Sequence, residues 1–289
     1  MFWWNKGVPM SLPLPQQFKL ARQRVYATFG IGGAAAVSIE RADGDWAVRV
    51  EGRRVYVPSP LRWKLYRRGW AARLDQLERE YGVGRHAILG SGAVVLDVGA
   101  NVGEFAHVGA RYGARVYCLE PDPSAHRCLL RNIDGVTGAS AHDILAWKRE
   151  EELEFTLVPD RADSSVFAEG AVRVRRKATP LASFLASEGV AHVDLLKCDA
   201  EGAEPEVLEG LGATLPRVRV VALDTGAERR GSRTHVECRS ILESHGFRVI
   251  DEKIGTRWMT YGLAPTQPHP PDEGPASRRS AASPPCTED

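Results

Sequence analysis

Three kinds of hydrophobic spacing alternate along the chain. Continuous apolar, mostly β-branched runs at 94–96, 115–119, 193–197 and 218–223 have the length and composition of strands buried on both faces. Each is followed within two residues by an acid: Asp97, Glu120, Asp199 and Asp224. Between and before these runs, apolar residues recur at helical spacing. Trp70, Leu74, Leu77 and Tyr81 follow Gly69, and Leu61 and Leu65 follow a Ser59-Pro60 start. Asp122-Pro123 opens a helix to about residue 132, Thr179-Pro180 caps one carrying Leu181, Phe184 and Leu185, and Thr234-x-x-Glu237 forms a capping box for one ending at His245-Gly246. Residues 18–28 predict a further short helix. Period-two alternation marks a hairpin over 46–57 turning at Gly52-Arg53, two added strands at 154–158 and 172–177, and closing strands at 247–250 and 258–264. Residues 139–147 read as one more strand. Strands alternating with helices in this way predict an α/β fold with a largely parallel sheet.

The stretch 94–122 organises the rest. Its strand ends in Asp97, a loop of the form Asp97-x-Gly99-x-Asn101-x-Gly103 follows, and a helix opens near Val102. Gly99 and Gly103 lack β-carbons where a small molecule would lie against the backbone, and the N–H groups of the helix face the same crevice. Glu120, with Pro121 beside it, stands at the tip of the next strand, where an acid accepts hydrogen bonds from both hydroxyls of a ribose. Two classes of adenosine cofactor fit. A dinucleotide brings a pyrophosphate that Asp97 would repel, and the loop lacks the three-glycine dinucleotide spacing. S-adenosyl-L-methionine is phosphate-free and cationic, so both acids favour it. Asp143, near the end of the third strand, is a candidate for the adenine amino group.

A second informative stretch runs from 193 to 210. Asp199, Glu201 and Glu204 follow a strand at once, at the sheet end where open α/β folds bind ligands. Favourable interaction with a helix dipole accounts for Glu204 and Glu206 but not for Asp199, which precedes the helix.

Composition adds exclusions. A formal charge of +1 favours neither nucleic acid nor membrane surfaces as partners, and five cysteines without a CxxC pair suggest neither a disulfide framework nor a zinc site. No apolar run has the length of a membrane span and the first residues lack signal-peptide order, so a cytoplasmic protein is expected. Arg53, Arg54, Arg62, Lys64, Arg67, Arg68 and Arg73 allow two readings, a surface steering an anionic acceptor and, the preferred one, a solvated helix face. Beyond residue 264 the Pro-, Ser- and Arg-rich composition predicts a disordered tail.

The motifs DVGANVGEF, EPD and DLLKCDAEGAEPEVLEG, in this order and spacing, resemble the FkbM family of S-adenosylmethionine-dependent methyltransferases over roughly residues 92–250. The resemblance implies a class I, Rossmann-like sheet of seven strands, mostly parallel with the last strand antiparallel. It also implies O-methylation of a hydroxyl on a sugar or other small natural product, including a nucleotide sugar. Asp97, Gly99, Asn101 and Gly103 match the family's donor loop, Glu120 its ribose acid, and Asp199, Glu201, Gly202 and Glu204 its D-x-E-G-x-E signature. Ala178-Thr179-Pro180-Leu181 departs from a common Thr-Leu-Asp run. Three segments follow: an N-terminal α+β extension over 1–90, a methyltransferase domain over 91–264, and the tail over 265–289.

Within that frame Asp199 is the first choice for the base that takes the acceptor's proton, with Glu201 orienting the acceptor and His235 as the other candidate. A divalent metal bridging Asp199 and Asp224 is a lesser alternative, and no metal is expected. An amine methyltransferase or a non-catalytic nucleoside-binding protein shares the donor loop. A homodimer is compatible with the sequence.

Overall fold

A computed structural model describes residues 12–158, 164–168, 170 and 172–265. The expected tail falls almost wholly outside these residues. The described residues open with α1 (Leu14–Thr28), starting four residues earlier than its apolar spacing suggests because Pro15 fits the first turn. Strands β1 (Val37–Ala42), β2 (Asp45–Val50) and β3 (Arg53–Val57) then form an antiparallel meander. The predicted hairpin is its second half, and β1 was hidden by the Gly/Ala-rich run before it. A 3₁₀ helix, Pro60–Tyr66, follows with Ser59 Oγ accepting from the Leu61 N–H, and α2 (Trp70–Glu80) buries Trp70, Leu74 and Leu77 as their spacing requires.

Next come β4 (Val94–Val98), α3 (Glu104–Arg111), β5 (Arg115–Leu119), α4 (Pro123–Asn132), β6 (Ala139–His142) and β7 (Leu145–Ala146). The expected single strand over 139–147 is thus broken at Asp143-Ile144. Strands β8 (Glu151–Leu157) and β9 (Val172–Thr179) join β7 in a separate three-stranded sheet. The chain closes with α5 (Leu181–Ser187), β10 (Val193–Cys198), α6 (Glu204–Glu209), β11 (Val218–Asp224), α7 (His235–Ser244), β12 (Arg248–Ile254) and β13 (Arg257–Leu263). Two capping expectations differ. Thr179 ends β9, so Pro180 occupies the N-cap position of α5, and Thr234 does not cap α7 with its hydroxyl, which bonds Glu204 instead.

The large sheet has the order β12-β13-β11-β10-β4-β5-β6. β4, β5, β6, β10 and β11 are parallel, and β13 runs antiparallel to both neighbours. From β4 the chain winds outward to β6, then returns to lay β10 on the other side of β4. That reversal opens a crevice between β4 and β10, at the carboxyl ends of the strands. Alternate residues of each central strand enter opposite cores. Val95 and Leu195 join Phe105, Leu129 and the N-terminal residues Val48, Trp63 and Tyr81, whereas Leu96 and Leu196 pack with Leu185, Leu208 and Leu242. This two-faced burial is why the strands read as unbroken apolar runs. No helix among the described residues is long and apolar enough to cross a membrane.

Side chains of α4 fasten the meander, Arg127 and Arg131 at Asp45 and Asn132 at Tyr56. Asn132, at the end of α4, accepts from the Tyr56 N–H (2.8 Å) and donates to the carbonyls of Tyr56 (2.9 Å) and Val102 (2.8 Å). Asn132 is therefore a tie between layers rather than a ligand contact. Asn132→Ala leaves three backbone groups without partners and should lower the free energy of unfolding in urea by about 2 kcal/mol.

Candidate active site

At the carboxyl end of β4 the loop turns back on itself between β4 and α3. Gly99 has φ +69°, and a β-carbon there would meet the Asp199 carbonyl oxygen at 1.9 Å; Gly103 has φ +86°, and a β-carbon there would press on Leu129 and Ile133 at under 3 Å. Asn101 also adopts the left-handed conformation, at φ +52°, which asparagine tolerates better than most residues. Its N–H is held by Glu120 Oε2 at 2.7 Å, while Glu120 Oε1 accepts from the Asp122 N–H at 2.8 Å. Burial pushes the Glu120 carboxyl up to about 7 against the pull of these two donors. Asp122 caps α4 through the N–H groups of Ser124 and Ala125, and its other oxygen accepts from Ser164 Oγ at 2.8 Å.

Asp97 lies beneath the loop, fully buried, with Lys197 Nζ 2.7 Å from its Oδ1. The two residues are register partners on β4 and β10. Lys197 also donates to the carbonyls of Val98 (3.2 Å) and Gly99 (2.7 Å), so one ammonium braces the turn. Asp97 therefore does not face a ligand's ammonium, and the repulsion expected between it and a pyrophosphate is neutralised by Lys197. Lys197 went unrecognised in the sequence, although a lysine inside a doubly buried strand signals a charged partner.

Asp199 follows β10. Its Oδ2 accepts from Tyr81 Oη (2.9 Å) and from Arg257 Nη1 (2.8 Å), and the same guanidinium contacts Asp224. Burial would raise the Asp199 carboxyl, but Arg257 and then Lys197 outweigh it and hold it well below the usual carboxylate range. Asp224 is shifted the opposite way, by burial and then by the charge of Asp199. Arg257 thus occupies the place a metal bridging these two acids would need. Among the described residues, no group of three His, Cys, Asp or Glu side chains is placed to hold a metal ion.

A cavity of about 790 Å³ opens at this end of the sheet, within the range of small-molecule and cofactor sites. Gly99, Asn101, Glu120, Pro121, Asp199 and Glu201 all face it, and Glu201 has φ +50° in the loop before α6. Ile144, Leu145, Ala146 and Phe155 form an apolar wall beyond Glu120. The N-terminal layer closes the remaining side with Arg62, Lys64, Arg73, Leu77 and Tyr81. Arg62 and Arg73 are each only 7 % exposed, so the solvated-face reading of that basic run holds for Arg53, Arg54, Lys64, Arg67 and Arg68 but not for these two. Arg73 makes a two-pronged ion pair with Glu104, at 3.0 and 2.8 Å. Burial alone would raise the Glu104 carboxyl, yet Arg73 holds it down at about 2.

Four expected site residues do not line the cavity: Asp97 and Gly103, which lie behind and at the end of the loop, and Asp143 and His235. Asp143 is not among the cavity-lining residues and is paired with Arg176. His235 opens α7, also off the cavity, because Thr234 is drawn toward Glu204. Glu204 itself is fully buried, accepting from the N–H groups of Ala200 and Gly202 and from the Thr234 hydroxyl, so it shapes the acidic loop from behind.

The model for the FkbM methyltransferase domain matches residues 97–249, just over half of the chain. The chain belongs to the FkbM methyltransferase family. It is therefore a methyltransferase, with S-adenosylmethionine as donor. Methyltransferase sdnD of Sordaria araneosa is 28 % identical over 205 residues, covering 58 % of this chain and 78 % of the relative. The 31-O-demethyl-FK506 methyltransferase FkbM of Streptomyces tacrolimicus is 28 % identical over 207 residues, with the same coverage. A solved S-adenosylmethionine-dependent methyltransferase from Aquifex aeolicus superposes with a TM-score of 0.42 at 15 % identity, covering 71 % of this chain and 94 % of that one. In this FkbM-family chain the residues of the loop fit the polar groups of a nucleoside donor. The buried Glu120 meets the loop backbone at Asn101, and the buried Oδ1 of Asn101 has no hydrogen-bond partner.

Two buried groups give measurable consequences. Replacing Lys197 by Met strands Asp97 without a counter-charge and should lower stability by about 3–5 kcal/mol; Asp97→Asn in the same background should recover part of that loss in denaturant unfolding. Burial pushes Glu204 up to about 8, from an ordinary 4.5. The folded state then keeps a proton that the unfolded chain has lost. Its stabilisation is full below about pH 4.5 and is lost as pH rises through about 8. Glu204→Gln should flatten the decline of unfolding free energy between pH 5 and 8, by an amount on the order of a few kcal/mol.

Proposed function

We propose that this methyltransferase transfers the methyl group to a hydroxyl oxygen of a small natural product or sugar, with Asp199 receiving the acceptor's proton. The observation that carries the reading is the convergence of the loop at Gly99–Asn101, Glu120 and Asp199 on one cavity. The relative from Streptomyces tacrolimicus supports an oxygen acceptor, since its name describes a substrate lacking an O-methyl group.

S-adenosylmethionine, when bound, supplies an electrophilic methyl group. The chain's own residues hold and align. Glu120 accepts from ribose hydroxyls, Asn101 and Gly99 present loop backbone, and the wall of Ile144, Leu145 and Phe155 takes the base. Tyr81 and Arg257 occupy Asp199 Oδ2, so Oδ1 is the oxygen that serves the acceptor. Its low proton affinity makes Asp199 a weak base toward a neutral alcohol. The oxygen becomes far more acidic as its third bond forms, so an ionised, fixed carboxylate takes the proton late in the transfer. Glu201, on the same rim, orients the acceptor. Alignment is the larger contribution, of order 7–11 kcal/mol in well-ordered cases, about what effective-molarity measurements give.

A panel of sugars, nucleotide sugars and hydroxylated natural products, each paired with its O-methylated form, and methyl-labelled donor test this. Label should enter only free hydroxyls. With a labelled acceptor in hand, Asp199→Asn should lower turnover by about 10²–10⁴-fold while affinity for S-adenosylhomocysteine stays within about threefold. Unchanged turnover, or label found only on amines, would overturn the reading.

A further inference from the structure

Arg62 is a buried cation of the cavity wall that the chemistry above leaves unused. It projects from the 3₁₀ helix Pro60–Tyr66, is 7 % exposed and lines the cavity. Its Nε and Nη1 are both buried and make no hydrogen bond. Its charge acts on Glu104, but both oxygens of Glu104 are already taken by Arg73. Glu80, on the same wall, bonds Gln76 and lies 3.6 Å from Arg257. A desolvated guanidinium with two idle nitrogens is costly to keep, and an anion such as a carboxylate is the partner that offsets the cost.

Its position selects the carboxylate. The donor loop has Glu120 bonded at Asn101 on one side, and at its far end Gly103 leads directly into Glu104, beside which Arg62 lies. A nucleoside whose ribose sits at Glu120 and whose amino-acid chain follows the loop brings its terminal carboxylate toward Glu104 and Arg62. We propose that Arg62 binds the amino-acid carboxylate of the methyl donor, so that the N-terminal layer completes the donor site. This rests on the donor assignment above and adds a recognition residue from outside the stretch matched by the family model, which begins at residue 97.

Calorimetry on the full chain tests it, with S-adenosylhomocysteine and its decarboxylated analogue, which lacks only the carboxylate. The parent protein should prefer S-adenosylhomocysteine by about 10- to 100-fold, the worth of a charged hydrogen bond. Arg62→Met should bring that preference below about threefold, by weakening S-adenosylhomocysteine and not the analogue, and Arg62→Lys should fall between. The ligand-free Arg62→Met protein should melt no lower than the parent, because Nε and Nη1 give up no hydrogen bond and Glu104 keeps Arg73. An unchanged preference, or equal weakening of both ligands, overturns the assignment and leaves the donor site standing. A lower melting temperature with the preference intact makes Arg62 structural and also overturns it. If the parent binds neither ligand, the donor assignment fails first and this inference with it.

Discussion

The ion pair between Asp97 and Lys197 is the interaction on which the rest of the structure depends. Two opposite charges lie buried side by side because β4 and β10 pair in a register that sets them opposite each other. Such a pair gains little net energy over an apolar substitute but penalises every arrangement that separates its members. A slip of one residue between these strands would bury both charges alone. The same ammonium then reaches the carbonyls of Val98 and Gly99 and fixes where the strand ends and the turn begins. Strand register, loop shape and the close approach of Gly99 to the Asp199 backbone are thus one constraint seen from three sides.

The site built on this brace has two halves of different origin. The sheet supplies Glu120, the loop and Asp199, all at strand ends. The N-terminal layer supplies Tyr81, Arg73 and Arg62, which reach the cavity because α2 and the 3₁₀ helix share a core with Val95 and Phe105. Asn132 ties the same layer to the loop through the Val102 carbonyl. Residues of the N-terminal segment therefore form part of the cavity wall.

Local pattern revealed the features whose cause is local. Apolar runs buried on both faces, the Asp122-Pro123 helix start and the Gly99 and Gly103 turn were all legible, because burial and backbone conformation leave marks within a few residues. Glu120 was legible because its distance from the loop follows from one helix and one strand. Contacts across long stretches of chain were not. Arg257 joins Asp199 from 58 residues away and Tyr81 joins it from 118 residues away, distances over which only register and topology decide who meets whom. His235 and Asp143 show the converse. Both residue types suited the chemistry, but Thr234 bonds to the buried Glu204 and Arg176 pairs with Asp143, and each leaves its residue off the cavity. The strand β1 was lost in a Gly/Ala-rich stretch whose composition carries little periodicity.

The arginine at the start of β13 stands among three acids, Glu80, Asp199 and Asp224, so this corner holds more negative than positive charge. Asp199 and Arg257 of this corner line the same cavity as Glu120, so the charge balance of its wall discriminates between a cation and a neutral molecule of the same shape.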